Sequence, residues 1–306
     1  EEAPAEPVRA IEVPRNLNLS LNTDLRKVLF EKMTIGDISG EMRVAGGALS
    51  LERLAMGVFG GRATASGSYS TAADAQRPAL KLKAEIADAS FSTTFDQLDV
   101  VRRMVPLFEK TGGDYSMSLD LATRLTQTME PDYATLQADG AIRSKNIRVQ
   151  NIAVFDQLAA ALKNDALRRI EAKDVDIRFT IRDGRIATQP FDLKMGGVNI
   201  NLAGSTGLDQ TIDYSGKIKL PASTGISKLM TLDLKIGGSF TSPKVSVDTK
   251  SMANQALESV ADEAISKLGE KLGLDSATTA NKDSIKQKVT EKATEKALDF
   301  LKKKLK

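Results

Sequence analysis

The amino-acid sequence predicts a mainly β fold with flanking helices (α+β), in which repeated antiparallel β-meanders form a curved sheet or groove. Apolar residues stand at every second position through much of the chain, and side chains that alternate in this way point to opposite faces of a strand. One stretch also occurs twice, at residues 33–67 and 170–204, with an offset of 137 and no gap. A duplicated meander extends a sheet, so we expect the fold to grow strand by strand.

The two copies share their glycine positions as well as their apolar positions. Gly47 and Gly67 of the first copy correspond to Gly184 and Gly204 of the second. Each copy therefore predicts strand, tight turn and strand, because glycine supplies the positive φ that such turns need. The matching apolar residues are Ile38 and Val175, Met42 and Phe179, Val44 and Ile181, Leu54 and Phe191, and Met56 and Leu193.

The remaining elements follow from the period of the apolar residues. Helical spacing at residues 94–110 and at about 155–170 predicts two helices that cover the sheet, and both contain the string Phe-Asp-Gln-Leu. Pro106 is expected to kink or end the first helix. Whether the two meander copies share one sheet stays open at this point. Alternation predicts further strands at residues 17–21, 80–86, 115–121, 147–149, 212–220, 232–236 and 245–247.

Composition divides the chain into three parts. Residues 1–10 form an acidic Pro/Ala linker, residues 11–250 carry the β-rich domain with the internal repeat, and residues 251–306 form an amphipathic, lysine-rich helical tail. The tail packs on the domain or on a copy of itself, contacts an anionic membrane, or is a disordered or non-native end. The candidates for membrane contact are Lys302, Lys303, Lys304 and Lys306.

The residue types that are absent restrict the chemistry. The 306 residues include no Cys, no His and no Trp. Thiolate or imidazole zinc sites and Ser-His-Asp or Cys-His catalysis are therefore impossible. A net charge of +3 and an aromatic content of 5% give no support for nucleic-acid binding. We expect no catalytic residue, no metal and no cofactor, and a carboxylate-dependent hydrolase is a distant third alternative. The sequence contains no run of 18 apolar residues, so it predicts no membrane-spanning helix.

The later part of the chain carries a family resemblance. The pieces are Gly184, Pro190-Phe191, Gly196-Gly197, Gly204, the run at 209–214, Leu220-Pro221, Gly237-Gly238, Pro243-Lys244 and Asp248. In this order they resemble the C-terminal region of AsmA-type proteins. Residues 13–17, residues 51–69 and the helix predicted at 155–170 fit the same resemblance, which therefore covers most of residues 11–250. It implies a protein on the periplasmic face of the Gram-negative cell envelope, anchored in the inner membrane through an N-terminal helix that these residues do not contain.

The resemblance also implies a function. The wider superfamily is similar to bridge-like lipid carriers, in which a long curved sheet forms an apolar groove. We therefore expect a non-enzymatic protein that supports phospholipid transport and outer-membrane biogenesis or homeostasis. The implied partners are a phospholipid or other acyl lipid, the inner or outer membrane surface, and envelope assembly proteins. The alternative is a periplasmic structural scaffold or interaction protein that carries no lipid.

An apolar groove would bind acyl chains on physical grounds, since burial contributes about 0.8 kcal/mol per methylene. For each lining candidate the alternative is a packed core position, because alternation does not say what covers a face. The lining hypothesis predicts that Asp at Met195 or Ile200 abolishes lipid copurification and leaves the protein folded. The lining candidates are Met42, Val44, Leu54, Met56, Val58, Phe179, Ile181, Phe191, Leu193, Met195, Ile200 and Leu202.

Overall fold

The described strands join in a single open, curved antiparallel sheet, which confirms the predicted mainly β fold with flanking helices. The structure is a computed structural model that describes residues 9–162, 164–195, 197–220 and 230–248. Apart from one two-residue strand, the spatial order of the strands follows their order in the chain. Both meander copies lie in this sheet, which answers the question that the sequence left open.

The strands differ in length, and the longest lie at the start of each meander. The first five are β1 (Asn18–Phe30), β2 (Met33–Ala45), β3 (Ala48–Val58), β4 (Gly61–Ser70) and β5 (Ala79–Ser90). The next four are β6 (Thr111–Gly112), β7 (Asp114–Arg124), β8 (Gln137–Gln150) and β9 (Arg169–Arg182). The last five are β10 (Arg185–Met195), β11 (Val198–Gly207), β12 (Ile212–Leu220), β13 (Met230–Gly238) and β14 (Pro243–Val247).

The sequence repeat has a counterpart in the strands. β10 and β11 begin and end 137 residues after β3 and β4. Their irregularities also correspond, since the pairing register shifts between Leu51 and Leu54 in β3 and between Thr188 and Phe191 in β10. The repeated unit therefore includes its bulge as well as its strands.

The helical segments are shorter than the sequence predicted. The segment predicted as one helix at 94–110 forms α1 (Phe91–Gln97), α2 (Asp99–Met104) and a 3₁₀ turn (Pro106–Lys110). It breaks at Leu98, which has extended backbone angles, and again before Pro106, because proline disfavours a helical residue in front of it. The second predicted helix, at about 155–170, is α3 (Ala153–Leu162) followed by a 3₁₀ turn (Asp165–Arg168).

Three buried clusters bring the helical segments onto the sheet. The larger, here the C-terminal core, contains Leu158 of α3, Leu167 of the second 3₁₀ turn and buried residues of β8 to β13, such as Ile200 and Ile218. The smaller, here the aromatic cluster, joins Phe91 of α1 to Tyr115 of β7, with Phe108 against both. A third, smaller cluster contains Met104 of α2.

Several sequence predictions concern residues outside the described ranges. They include the lysine-rich tail with Lys302, Lys303, Lys304 and Lys306, most of the linker, and Gly196. Among the described helices, none is both long enough and apolar enough to cross a membrane.

Candidate functional site: the apolar face of the sheet

One face of the sheet carries apolar side chains in continuous rows. Residues that oppose each other directly in neighbouring strands lie on the same face. Such pairs form one row from β1 to β12. Every residue of this row has an apolar side chain except Gly67 and Thr206. The row consists of Leu21, Met42, Leu51, Gly67, Leu82, Leu121, Ala138, Ile181, Ile186, Thr206 and Ile212.

A second row on the same face runs beside the first across β1 to β5. It consists of Leu19, Val44, Leu49, Tyr69 and Leu80. Eight aliphatic side chains of the two rows belong to none of the described core clusters and stay partly or fully exposed. We call them the open strip. They are Leu19, Leu21, Met42, Val44, Leu49, Leu51, Leu80 and Leu82.

The open strip is bounded at both ends of the strands. At one end lies the aromatic cluster with α1 and α2, where Lys32 Nζ is 3.4 Å from Asp99 Oδ1. At the other end the segment before β1 crosses the sheet, and the backbone N–H of Val13 donates to Thr71 Oγ1 at 2.9 Å. The strip spans five strands between these boundaries, or roughly 19 Å across the strand axes at the usual spacing.

The twelve lining candidates fall into three groups. Met42 and Val44 lie in the open strip. Four others are half-buried and pack against a core cluster, namely Met56, Phe179, Phe191 and Leu193. Six are buried, namely Leu54, Val58, Ile181, Met195, Ile200 and Leu202.

Two of the buried candidates require a revised expectation. Met195 is 4% exposed and Ile200 is 1% exposed, and both belong to the C-terminal core beneath α3. An Asp at either position would enter packed protein, so the expectation of a folded variant no longer follows. The open strip instead adds residues that were not among the candidates: Leu19, Leu21, Leu49, Leu51, Leu80 and Leu82. Their alternation is visible in the sequence, but it does not show that the described residues leave them uncovered.

The opposite face of the sheet is charged. Lys83 Nζ lies 3.1 Å from Asp120 Oδ2, and Arg143 Nε lies 3.0 Å from Asp176 Oδ2. Both pairs join directly opposed residues of neighbouring strands. Their side chains are about half exposed or more, so water and salt screen the attraction and each pair contributes little to stability. This contrast between the two faces indicates that the charged face lies against solvent.

Two shallow depressions lie on the charged face, with volumes of about 810 Å³ and 450 Å³. In the larger, short side chains such as Thr64 and Ser66 stand between long ones such as Lys83 and Arg143, which leaves a hollow over the backbone. None of the twelve lining candidates lines either depression. Leu82 of the open strip does border the smaller depression, next to Lys81 and Lys83.

A polar network holds the turn between β11 and β12. The backbone N–H and the hydroxyl of Thr211 both donate to Asp209 Oδ1, and these bonds hold the pKa of Asp209 below its usual value. The Arg185 guanidinium donates to Thr211 Oγ1 at 3.1 Å and adds a smaller electrostatic effect in the same direction. All of these partners lie within the turn and its neighbouring strand, so the network has a structural role.

The buried phenol of Tyr115 should make the stability of the fold depend on pH. Burial raises the pKa of its hydroxyl, and the 2.8 Å hydrogen bond to Thr94 only partly offsets this effect. The folded state therefore favours the neutral phenol, and the stability that depends on it is present at neutral pH and is lost as the pH rises above about 10.

We expect Tyr115→Phe to be less stable than the wild type at neutral pH by about 1 kcal/mol, the usual contribution of one hydrogen bond. The deficit should stay constant from about pH 8 to about pH 10 and shrink from there to about pH 11, because only the wild type loses stability through this phenol. Urea unfolding of both proteins across that range measures the difference. A difference that stays constant would contradict the prediction.

Within the described ranges, no group of three or more acidic side chains is arranged to hold a metal ion. Comparison of the chain with protein-family models, with curated proteins and with solved structures finds no match. The AsmA-type resemblance therefore stays a prediction from the residues.

Proposed function

We propose that the open strip binds the acyl chains of a phospholipid or similar lipid, and that the protein supports lipid transport and outer-membrane homeostasis without catalysing a reaction. One observation carries the proposal. Two adjacent rows of aliphatic side chains cross five strands, and no described core cluster includes them. Exposed apolar surface of this extent and continuity is typical of a binding surface.

The shape of the strip suits an extended chain better than a compact ligand. Its side chains follow one another across neighbouring strands about 4.8 Å apart, so an acyl chain that lies across the strands meets a new aliphatic side chain at every strand. Each methylene buried there contributes up to about 0.8 kcal/mol. A lipid headgroup would stay in water at the side, so no headgroup pocket is required.

The part of the apolar face that is already covered limits the proposal. The third cluster, with Met104 of α2, covers the face across β7 to β9, and the C-terminal core buries it between β10 and β13. Lipid contact is therefore proposed for β1 to β5 only. The AsmA-type resemblance adds a proposed location, the periplasmic side of a Gram-negative envelope. Membrane surfaces and envelope assembly proteins are the corresponding proposed partners.

The test is lipid content after purification from a Gram-negative host. We expect organic extraction of the wild-type protein to release phospholipid in near-stoichiometric amount. Met42→Asp places a carboxylate in the middle of the strip, and we expect it to lower the lipid content at least about fivefold, the effect of roughly 1 kcal/mol. Ser50→Asp is the matched control, because it adds the same charge on the opposite face of the neighbouring strand.

Circular dichroism shows whether both variants keep the β fold. Equal lipid loss in Met42→Asp and Ser50→Asp would contradict binding at the strip. A wild-type protein that carries no more lipid than an unrelated control would end the carrier proposal and favour the scaffold alternative.

A further inference from the structure

The first strand of the sheet has an open outer edge. In the part of the chain that the structure describes, β1 pairs with β2 and has no strand on its other side. Residues 18–24 pair with β2 in an unbroken register, and the register is interrupted only further on, at the unpaired Arg26. On the apolar face of this part, Leu19 is 43% exposed and Leu21 is 42% exposed. A regular edge with exposed apolar side chains is a template for pairing with another strand.

The opposite edge of the sheet is protected. β14 has five residues, and the side-chain amide of Gln157 on α3 occupies its outer edge. Gln157 Nε2 donates to the carbonyl of Pro243 at 3.0 Å, and the N–H of Val245 donates to Gln157 Oε1 at 3.1 Å. A further strand can therefore reach the outer edge of β1 but not that of β14.

The internal repeat shows which strand of the second unit corresponds to β1. Leu19 opposes Val44 of β2, and Ala138 opposes Ile181, which is the residue of β9 equivalent to Val44. Ala138 is therefore the counterpart of Leu19, and β8 is the counterpart of β1.

In the second unit the edge equivalent to that of β1 is occupied. Residues 137–143 of β8 are the counterparts of residues 18–24, and all of them pair antiparallel with residues 116–122 of β7. This pairing ends shortly before Lys145, which is unpaired with β9 just as its counterpart Arg26 is unpaired with β2. The regular part of the edge, residues 18–24, thus has the geometry that accepts an antiparallel strand.

The strand β7 shows the chemistry of a segment that fits such an edge. It places Met117, Leu119 and Leu121 on the apolar face of the sheet. Between them, Ser116 and Ser118 lie on the charged face. Aliphatic side chains that alternate with small polar ones therefore suit a strand at this position.

We propose that residues 18–24 of β1 pair antiparallel with an extended segment of another protein, in which aliphatic side chains alternate with small polar ones. In the register that β7 shows, the aliphatic residues of this segment lie on the same face as Leu19 and Leu21. Asp24 is the only ionic residue among these seven residues of β1, so a basic residue is favoured at the position that opposes it. The pairing depends on β1 alone and is independent of what the open strip binds.

A synthetic peptide with the β7 sequence, residues 114–124, is the probe for this edge. We expect the labelled peptide to bind the full 306-residue chain at micromolar concentration and in a one-to-one ratio, as measured by fluorescence anisotropy. A peptide with the same residues in shuffled order should not bind, because it lacks the alternation.

Charge exchange tests the register. Ser116 of the peptide would oppose Asp24, so the peptide Ser116→Lys should bind the wild-type chain at least about threefold more tightly than the peptide Ser116→Glu. In the Asp24→Lys protein the order of the two peptides should reverse. Glu41→Lys is the matched control, since it makes the same kind of charge change on the same face of β2, one strand further in, and should keep the wild-type order.

A second peptide position tests whether the effect is local. Ala122 of the peptide would oppose Asn18, which lies six residues from Asp24, or roughly 20 Å along the strand. The peptides Ala122→Lys and Ala122→Glu should therefore have the same affinity ratio for the wild type and for Asp24→Lys.

These outcomes separate the strand pairing from the lipid proposal. Met42→Asp should bind the β7 peptide like the wild type even if it carries no lipid, because Met42 lies on β2. A peptide that does not bind, or an order that stays the same in Asp24→Lys, would overturn the proposed pairing. A wild-type dimer that the peptide dissociates in sedimentation velocity would assign the edge to a second copy of the chain and would overturn it as well.

Discussion

Ile200→Asp is expected to leave no stably folded protein. Ile200 is 1% exposed and opposes Leu193 and Ile218 in the neighbouring strands, within the C-terminal core. A carboxyl group there has no described polar partner in the core cluster, so its burial costs on the order of 5 kcal/mol in addition to the lost packing. Domains of this size are stable by only about 5 to 15 kcal/mol.

The control for Ile200→Asp is Lys194→Asp. Lys194 is exposed on β10 and opposes Asn199, next to Ile200 but on the other face of the sheet. We expect the free energy of unfolding of this variant to stay within about 0.5 kcal/mol of the wild-type value. Circular dichroism and limited proteolysis compare the two proteins. A soluble Ile200→Asp variant with wild-type resistance to protease would show that this position is an accessible lining residue after all.

The second large effect is expected at two equivalent glycines. A Cβ at Gly67 would collide with the carbonyl oxygen of Lys81 on β5, and a Cβ at Gly204 would collide with the carbonyl oxygen of Asp213 on β12. The obstructing atoms are backbone, which cannot move without disturbing the strand pairing. We expect Gly67→Ala and Gly204→Ala each to lower the free energy of unfolding by about 2 to 3 kcal/mol.

Gly57→Ala is the matched control, because Gly57 is also a strand glycine but its Cβ would meet no described atom closer than 3.6 Å. We expect its free energy of unfolding to stay within about 0.5 kcal/mol of the wild type. The midpoint of urea unfolding distinguishes the three variants. A Gly67→Ala protein that unfolds at the wild-type urea concentration would contradict the close approach of β4 and β5.

The sequence predicted the architecture because the decisive signal is local. The alternation around Leu82 and around Leu121 belongs to each strand alone, and the two leucines face each other as strand pairing requires. The break of the first helix at Leu98 was not predictable in the same way. Phe95, Leu98 and Val101 keep helical spacing across the break, so the apolar pattern continues although the helix does not.

The location of the candidate site was only partly predictable. Met42 and Ile200 occupy the same kind of position in an alternating strand, yet one lies in the open strip and the other in the core. The difference is the cover, and the cover comes from elsewhere in the chain: Leu158 of α3 lies over the second unit. A contact of that kind depends on the tertiary fold and leaves no mark in the alternation itself.

The agreement between strand order and chain order bears on how the molecule is made. A chain that emerges from its amino end can add each new strand to an edge that already exists, so few strands wait for a distant segment to be synthesised. Transient exposure of a hydrophobic edge then passes from strand to strand during synthesis. This exposure ends at the carboxyl side of the sheet once β14 has emerged and the side-chain amide of Gln157 has bound its outer edge.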